Sequence, residues 1–121
     1  MKRTIVTIAL GTALLLGQNK AVSDAKKLIA DKKFEEAVAV LEPAAKASPK
    51  DSALKNTMVE ALMGNGDTYM YNEKLPPFKK YPTALRSYRR VLEFDKANQK
   101  AKDNIAMIEG IYKSMGRPVP Q

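Results

Sequence analysis

The side chains that most often carry enzyme chemistry are missing or isolated here: the 121 residues include no cysteine and no histidine. No thiol nucleophile, imidazole base, disulfide or Cys/His zinc site can therefore form. A metal ion would need oxygen ligands alone, yet the 13 acids are spread singly apart from Glu35 and Glu36, with no loop of alternating Asp/Asn closed by Glu. Five serines lie among many lysines, but no glycine-framed serine elbow marks one as a nucleophile. The expectation is a chain with no catalytic residue, no cofactor and no metal, in which function resides in a surface.

That surface is basic. Twenty-one Lys and Arg against 13 acids give a net charge of +8, which steers anionic partners without naming one. The bases come in short pairs, Lys26-Lys27, Lys32-Lys33, Lys79-Lys80 and Arg89-Arg90, with acids nearby. Such spacing describes solvated helix faces, so nucleic acid is not the expected partner. The densest cluster is Lys79, Lys80, Arg86 and Arg90, with Arg86 and Arg90 on one helix face and Arg89 spaced to pair with Glu93. An anionic polymer or membrane surface is the alternative ligand that this patch offers.

The amino terminus reads as an address. Met1-Lys2-Arg3 is a cationic head, and Ile5 to Gly17 is an uncharged apolar stretch of about 13 residues, the pattern of a secretory signal. It falls short of the ~20 residues that a membrane-crossing helix needs. Cleavage is expected between Gly17 and Ala21, giving a signal in residues 1–21, a helical domain in 22–115 and a Pro-containing tail in 116–121. Loss of residues 1–17 leaves 19 basic and 13 acidic groups. The mature protein is expected in the periplasm or outside the cell, meeting a membrane only if the signal is retained.

A helical period positions everything after Ser23. Ala25, Leu28 and Ile29 form one short face; Asp31-Lys32-Lys33 interrupts; Phe34, Ala37, Val38, Leu41, Ala44 and Ala45 then return at helical spacing. Pro43 removes one bond, to the carbonyl of Ala39, inside this second helix. Ser48-Pro49-Lys50-Asp51 ends it and offers Asp51 as the next cap. The third helix carries Leu54, Met58, Ala61, Leu62 and Tyr69 to about Asn72, weakest at Gly64 and Gly66, each costing about 1 kcal/mol relative to alanine. Leu75-Pro76-Pro77-Phe78 reads as a stop. A fourth helix is expected after Tyr81 with Pro82 in its first turn, and a fifth from Asn98 to Met115, closed by Gly116. The stretch Tyr69, Tyr71, Leu75 to Phe78 and Tyr81 either projects towards a partner or plugs the end of the hairpin, the plug being the preferred reading. The Arg117-Pro118-Val119-Pro120 tail is expected to be disordered or extended.

A shift of 47 residues superimposes Lys32-Lys33-Phe34 on Lys79-Lys80-Tyr81, Ala37-Val38 on Ala84-Leu85, Leu41 on Tyr88, and Ala44-Ala45 on Val91-Leu92. A helix-turn-helix unit is repeated. In these second helices the chain resembles the tetratricopeptide repeat: Phe34, Ala37, Leu41, Ala44 and Pro49 stand at the family's aromatic, small, large, small and closing-proline positions, and Tyr81, Ala84, Tyr88 and Val91 follow in the second copy. Lys96 replaces the second closing proline, and roughly 13 residues are inserted relative to the family's 34-residue unit. First helices match less well, with Ala21, Asp24 and Ala25 at the family's tryptophan, leucine and glycine positions.

The resemblance implies an all-α fold of antiparallel helical hairpins stacked as a short solenoid, two hairpins plus a C-terminal capping helix. It also implies a protein or peptide partner in a groove lined by the first helices, where Lys26, Asn56, Glu60, Lys100, Asp103, Asn104 and Met107 fall. Lys26 and Lys100 match part of the family's carboxylate clamp, but Val22 and Thr57 stand where a lysine and an asparagine would be. Capture of a terminal carboxylate is accordingly not expected.

Overall fold

The computed structural model describes the backbone of residues 2–121 and the side chains from Leu16 onward. It contains α1 (Lys2–Ala30), α2 (Phe34–Ala47), α3 (Ser52–Met70), α4 (Pro77–Phe94) and α5 (Gln99–Ser114), with no strand among the described residues. The chain is all-helical. The cationic head and the apolar stretch as far as residue 15 lie outside the residues described with side chains, and no described helix is long and apolar enough to cross a membrane.

Local chemistry explains several of the boundaries. α1 stops in a Schellman turn: Lys33 N–H donates to Leu28 O at 2.8 Å and Lys32 N–H to Ile29 O at 2.9 Å, with Lys32 at φ +59°. A lysine in that left-handed region is strained, so Lys32→Gly is expected to raise stability by about 0.5–1 kcal/mol in urea melts. The same motif ends α5, where Arg117 N–H reaches Tyr112 O and Gly116, at φ +67°, reaches Lys113 O. There the left-handed position already holds glycine.

The start of α4 departs from expectation. It begins at Pro77, with Pro76 extended as its cap, and Pro82 lies inside it. A proline in the first helical position gives up only an N–H that has no partner there. The proline pair therefore opens a helix, while α3 has already ended at Met70. The tail is extended as expected, yet it is held: Val119 packs on the core and Arg89 Nη1 donates to Pro120 O at 2.8 Å.

α1 pairs with α2 and also packs on α3; α3 pairs with α4, and α4 with α5. Among the described residues two apolar clusters result. The first gathers Leu41, Leu54, Met58, Ala61 and Leu62 with Ala25 and Ala37, and extends to Val91 and Ala101. The second joins the far ends of α3, α4 and α5 through Met70, Leu85, Tyr88, Ile108 and Tyr112. Each fully buried Leu, Ile or Met contributes about 1.5–3 kcal/mol through removal from water. Met63, partly buried, packs against both clusters.

α3 lies close to its neighbours because it has glycines where their rings arrive. A Cβ on Gly66 would sit 2.5 Å from Tyr88 Cε1, and one on Gly64 would collide with the Phe34 ring. What reads in sequence as a weak stretch of helix is the seat of two aromatic side chains, one from α2 and one from α4.

The 47-residue register runs further than the second helices reveal. Asp51 Oδ1 accepts from Leu54 N at 2.9 Å, and Asn98 Oδ1 from Ala101 N at 2.9 Å, each capping its helix. The turns before them match as well: Asp51 N donates to Ser48 O and Asn98 N to Asp95 O, while Ser48 N donates to Ala44 O and Asp95 N to Val91 O. Ala37 and Ala84, and likewise Leu41 and Tyr88, are fully buried partners in this register. α5 therefore begins as α3 does.

Candidate functional site

Of the expected groove residues, the structure joins Lys100 and Asn104 into one polar cluster with Asp67 and Tyr88. Tyr88 is buried between α3, α4 and α5, and a buried phenol needs a hydrogen-bond partner for its hydroxyl. It donates to Asp67 Oδ1 at 2.5 Å, with Met70 Sδ at 3.5 Å. Burial first, then the Asp67 hydrogen bond and charge, push the Tyr88 phenol far above its ordinary range, and Asn104 partly opposes them. Asn104 is 6% exposed, and its Nδ2 is buried without a hydrogen-bond partner. Lys100 Nζ stands 4.0 Å from Asp67 Oδ2 at the surface.

The other groove candidates stay apart from this cluster. Asp103 accepts from Gln99 Nε2 at 2.8 Å, and Met107 is 52% exposed. Lys26, Asn56 and Glu60 are exposed on α1 and α3, and among the described residues no hydrogen bond or ion pair links their side chains to the cluster. Asp67 was not among the residues singled out from sequence. The signal was the inward-facing Tyr88, whose hydroxyl required a polar partner on a neighbouring helix.

The basic cluster is divided by its partners. Arg90 pairs with Glu42 at 2.5 Å and Glu93 at 3.8 Å, and its guanidinium lies 5.9 Å from the Phe94 ring centroid. The expected Arg89 to Glu93 pair does not form, because Arg89 reaches the tail carbonyl and Arg90 takes the acid. Arg86 is exposed beside a shallow hollow that Glu35 and Arg90 also line. Lys79 is exposed, and Lys80 Nζ sits 5.0 Å above the Tyr81 ring. Lys79 and Lys80 belong to the first turn of α4, while Arg86 and Arg90 lie further along it.

Sequence reasoning passed over two S-x-x-K spacings, Ser23 with Lys26 and Ser52 with Lys55, which fall in α1 and α3; both serines are exposed, and neither bonds to its lysine among the described residues. Among those residues no group of three acids is placed to hold a metal ion.

The proline-aromatic stretch separates into two parts. Tyr69 Oη donates to Glu35 Oε1 at 2.8 Å and helps wall a cleft of 480 Å³ with Phe34, Asn65 and Leu75. Phe78 is 67% exposed, so it does not plug the hairpin; the turn that opens α4 at Pro77 carries its ring outward. Phe78→Ala is accordingly expected to shift stability by less than about 0.5 kcal/mol in thermal or urea melts, whereas a core plug would cost about 3.

No family model, curated protein or solved structure matches the chain. The functional reading rests on geometry and residue chemistry.

Proposed function

We propose that this protein is an exported, tetratricopeptide-like scaffold that binds a protein or peptide through the exposed faces of α1, α3 and α5 and carries no chemistry of its own. The observation that supports this most is the repetition at 47 residues of whole turns and caps, from Ala44 to Leu54 and again from Val91 to Ala101. Repeats of this kind stack so that corresponding helices share one side of the array, and that side is where solenoids take extended partners. Asn56, Glu60, Lys100, Asp103 and Met107 are the exposed groove positions on α3 and α5.

Export is part of the proposal, and packing favours the early end of the cleavage window. Gln18 Nε2 donates to Ser48 Oγ, and Ala21 is 9% exposed in the first cluster. A cut after Gly17 keeps both contacts; a cut after Ala21 removes them. The alternative ligand, an anionic polymer or membrane surface, is weakened by the two acids on Arg90.

The test is photo-crosslinking in the native host, with a photoreactive amino acid at position 60 or 107 and, as control, at exposed position 46 of α2. One discrete adduct from the groove positions and none from the control supports the reading. No adduct from either groove position in the exported fraction counts against it. Mass spectrometry of the mature amino terminus reads the cleavage point from the same sample.

A further inference from the structure

A second surface lies where α4 begins and α5 ends. Pro77 and Phe78 form one wall of a cleft of 460 Å³, Tyr112 and Met115 the other, and Arg117 stands at its edge. Phe78 is 67% and Met115 41% exposed, and the two large apolar side chains line the same cleft.

The cleft is built by local features already described. Pro77 in the first helical position turns Phe78 out at the head of α4. The Schellman turn at Gly116 fixes the backbone of Arg117 against Tyr112 O at 3.0 Å. The guanidinium acts on the Tyr112 phenol, offsetting part of the rise that burial gives it.

Its side chains are mainly basic, with Glu109 in the adjoining hollow that Lys113 and Arg117 also line. The five lining residues include no acid, Lys79 and Lys113 adjoin it in sequence and are exposed, and none of Lys79, Lys113 and Arg117 forms an ion pair among the described residues. The amino end of α4 and the carboxyl end of α5 meet here with opposing helix dipoles, so the charge of the cleft comes from its side chains. The chain's own tail is not the occupant, since Val119 and Pro120 are engaged elsewhere. A second copy, itself at +8, meets the same charge. A flat membrane fits a concave cleft less well than a single side chain does.

We infer that this cleft docks an acidic peptide segment of a partner protein, which inserts one large apolar side chain between Phe78 and Met115 and sets flanking carboxylates against Arg117 and Lys79. The site is separate from the groove of the proposed scaffold function and does not depend on it.

Fluorescence anisotropy with the full chain and a labelled hexapeptide, Glu-Asp-Leu-Phe-Glu-Asp, tests the inference. Saturable binding is expected, weakened at least about tenfold by Phe78→Ala and by Arg117→Glu. Both side chains are exposed, so both variants should melt as the parent does. A peptide with lysine in place of each acid should not bind, and Glu60→Lys in the groove should leave binding unchanged. The inference is overturned by absent binding, by binding that neither variant weakens, by equal binding of the lysine peptide, or by loss on Glu60→Lys. Phosphatidylglycerol vesicles that retain the protein through Phe78 while the peptide fails to bind would overturn it in favour of a membrane surface.

Discussion

Alanine at Tyr88 is expected to destabilise the protein by about 3–5 kcal/mol, the usual cost of emptying a buried aromatic site. Against a typical total of about 5–15 kcal/mol, that loss leaves much of the population unfolded in mild denaturant. The reason is the position of the ring, which is fully buried in the second cluster, fills the gap at Gly66 and carries its hydroxyl to Asp67.

Tyr88→Phe separates the hydroxyl from the ring. It keeps the packing and gives up one hydrogen bond, whose acceptor Asp67 is a third exposed and can turn to water, so the loss should be near 1 kcal/mol. The alkaline limb distinguishes the two states further. The folded phenol resists ionisation because burial and Asp67 both disfavour its anion, whereas the unfolded phenol ionises near pH 10. The stability contributed by this group is therefore complete below about pH 10 and is lost progressively above it. Tyr69 and Tyr112 are raised as well and keep part of the slope. Wild type should thus lose stability above pH 10 more steeply than Tyr88→Phe; equal slopes would remove Tyr88 from this role.

Gly66→Ala sets two effects of opposite sign against each other. Helix propensity alone favours alanine by about 1 kcal/mol. Packing opposes it: the new methyl would stand 2.5 Å from Tyr88 Cε1 and 2.8 Å from both Cδ1 and Cζ. That ring has no free volume to retreat into, and overpacking a dense core costs about 1–3 kcal/mol before the helices are forced apart. A net loss of about 2 kcal/mol is expected in urea denaturation. Gly110 in α5 supplies the contrast, because nothing lies within 4 Å of a Cβ there, and Gly110→Ala should gain about 1 kcal/mol. Stabilisation by both substitutions would mean that Tyr88 is not lodged at Gly66.

Local chemistry made much of this fold readable from the residues. Asp51 and Gly116 signal a start and a stop by side chain and by backbone freedom, and both act where the sequence placed them. Pro76-Pro77 misled because the same pair that cannot continue a helix can begin one, and only the chain's exit from α3 decides between these. Arg90 finds Glu42, 48 positions away, which no local spacing can foretell; the nearer Arg89 to Glu93 pairing yielded to the tail. The groove candidates were legible as helix positions, but the cluster of Asp67, Tyr88 and Asn104 arises from three helices meeting around one hydroxyl. Phe78 was misread because apolar content alone does not say which way a turn will point.

The division of the interior at Met63 has a consequence for cooperativity. The first cluster draws side chains from all five helices, whereas the second is formed by α3, α4 and α5 with Val119 of the tail. Amide protons near the end of α5 can therefore exchange through partial opening while those in α2 and early α3 wait for global unfolding. The exposed cleft of Phe78 and Met115 sits on this more readily opened half, so a ligand there would bind and tighten the molecule in the same event.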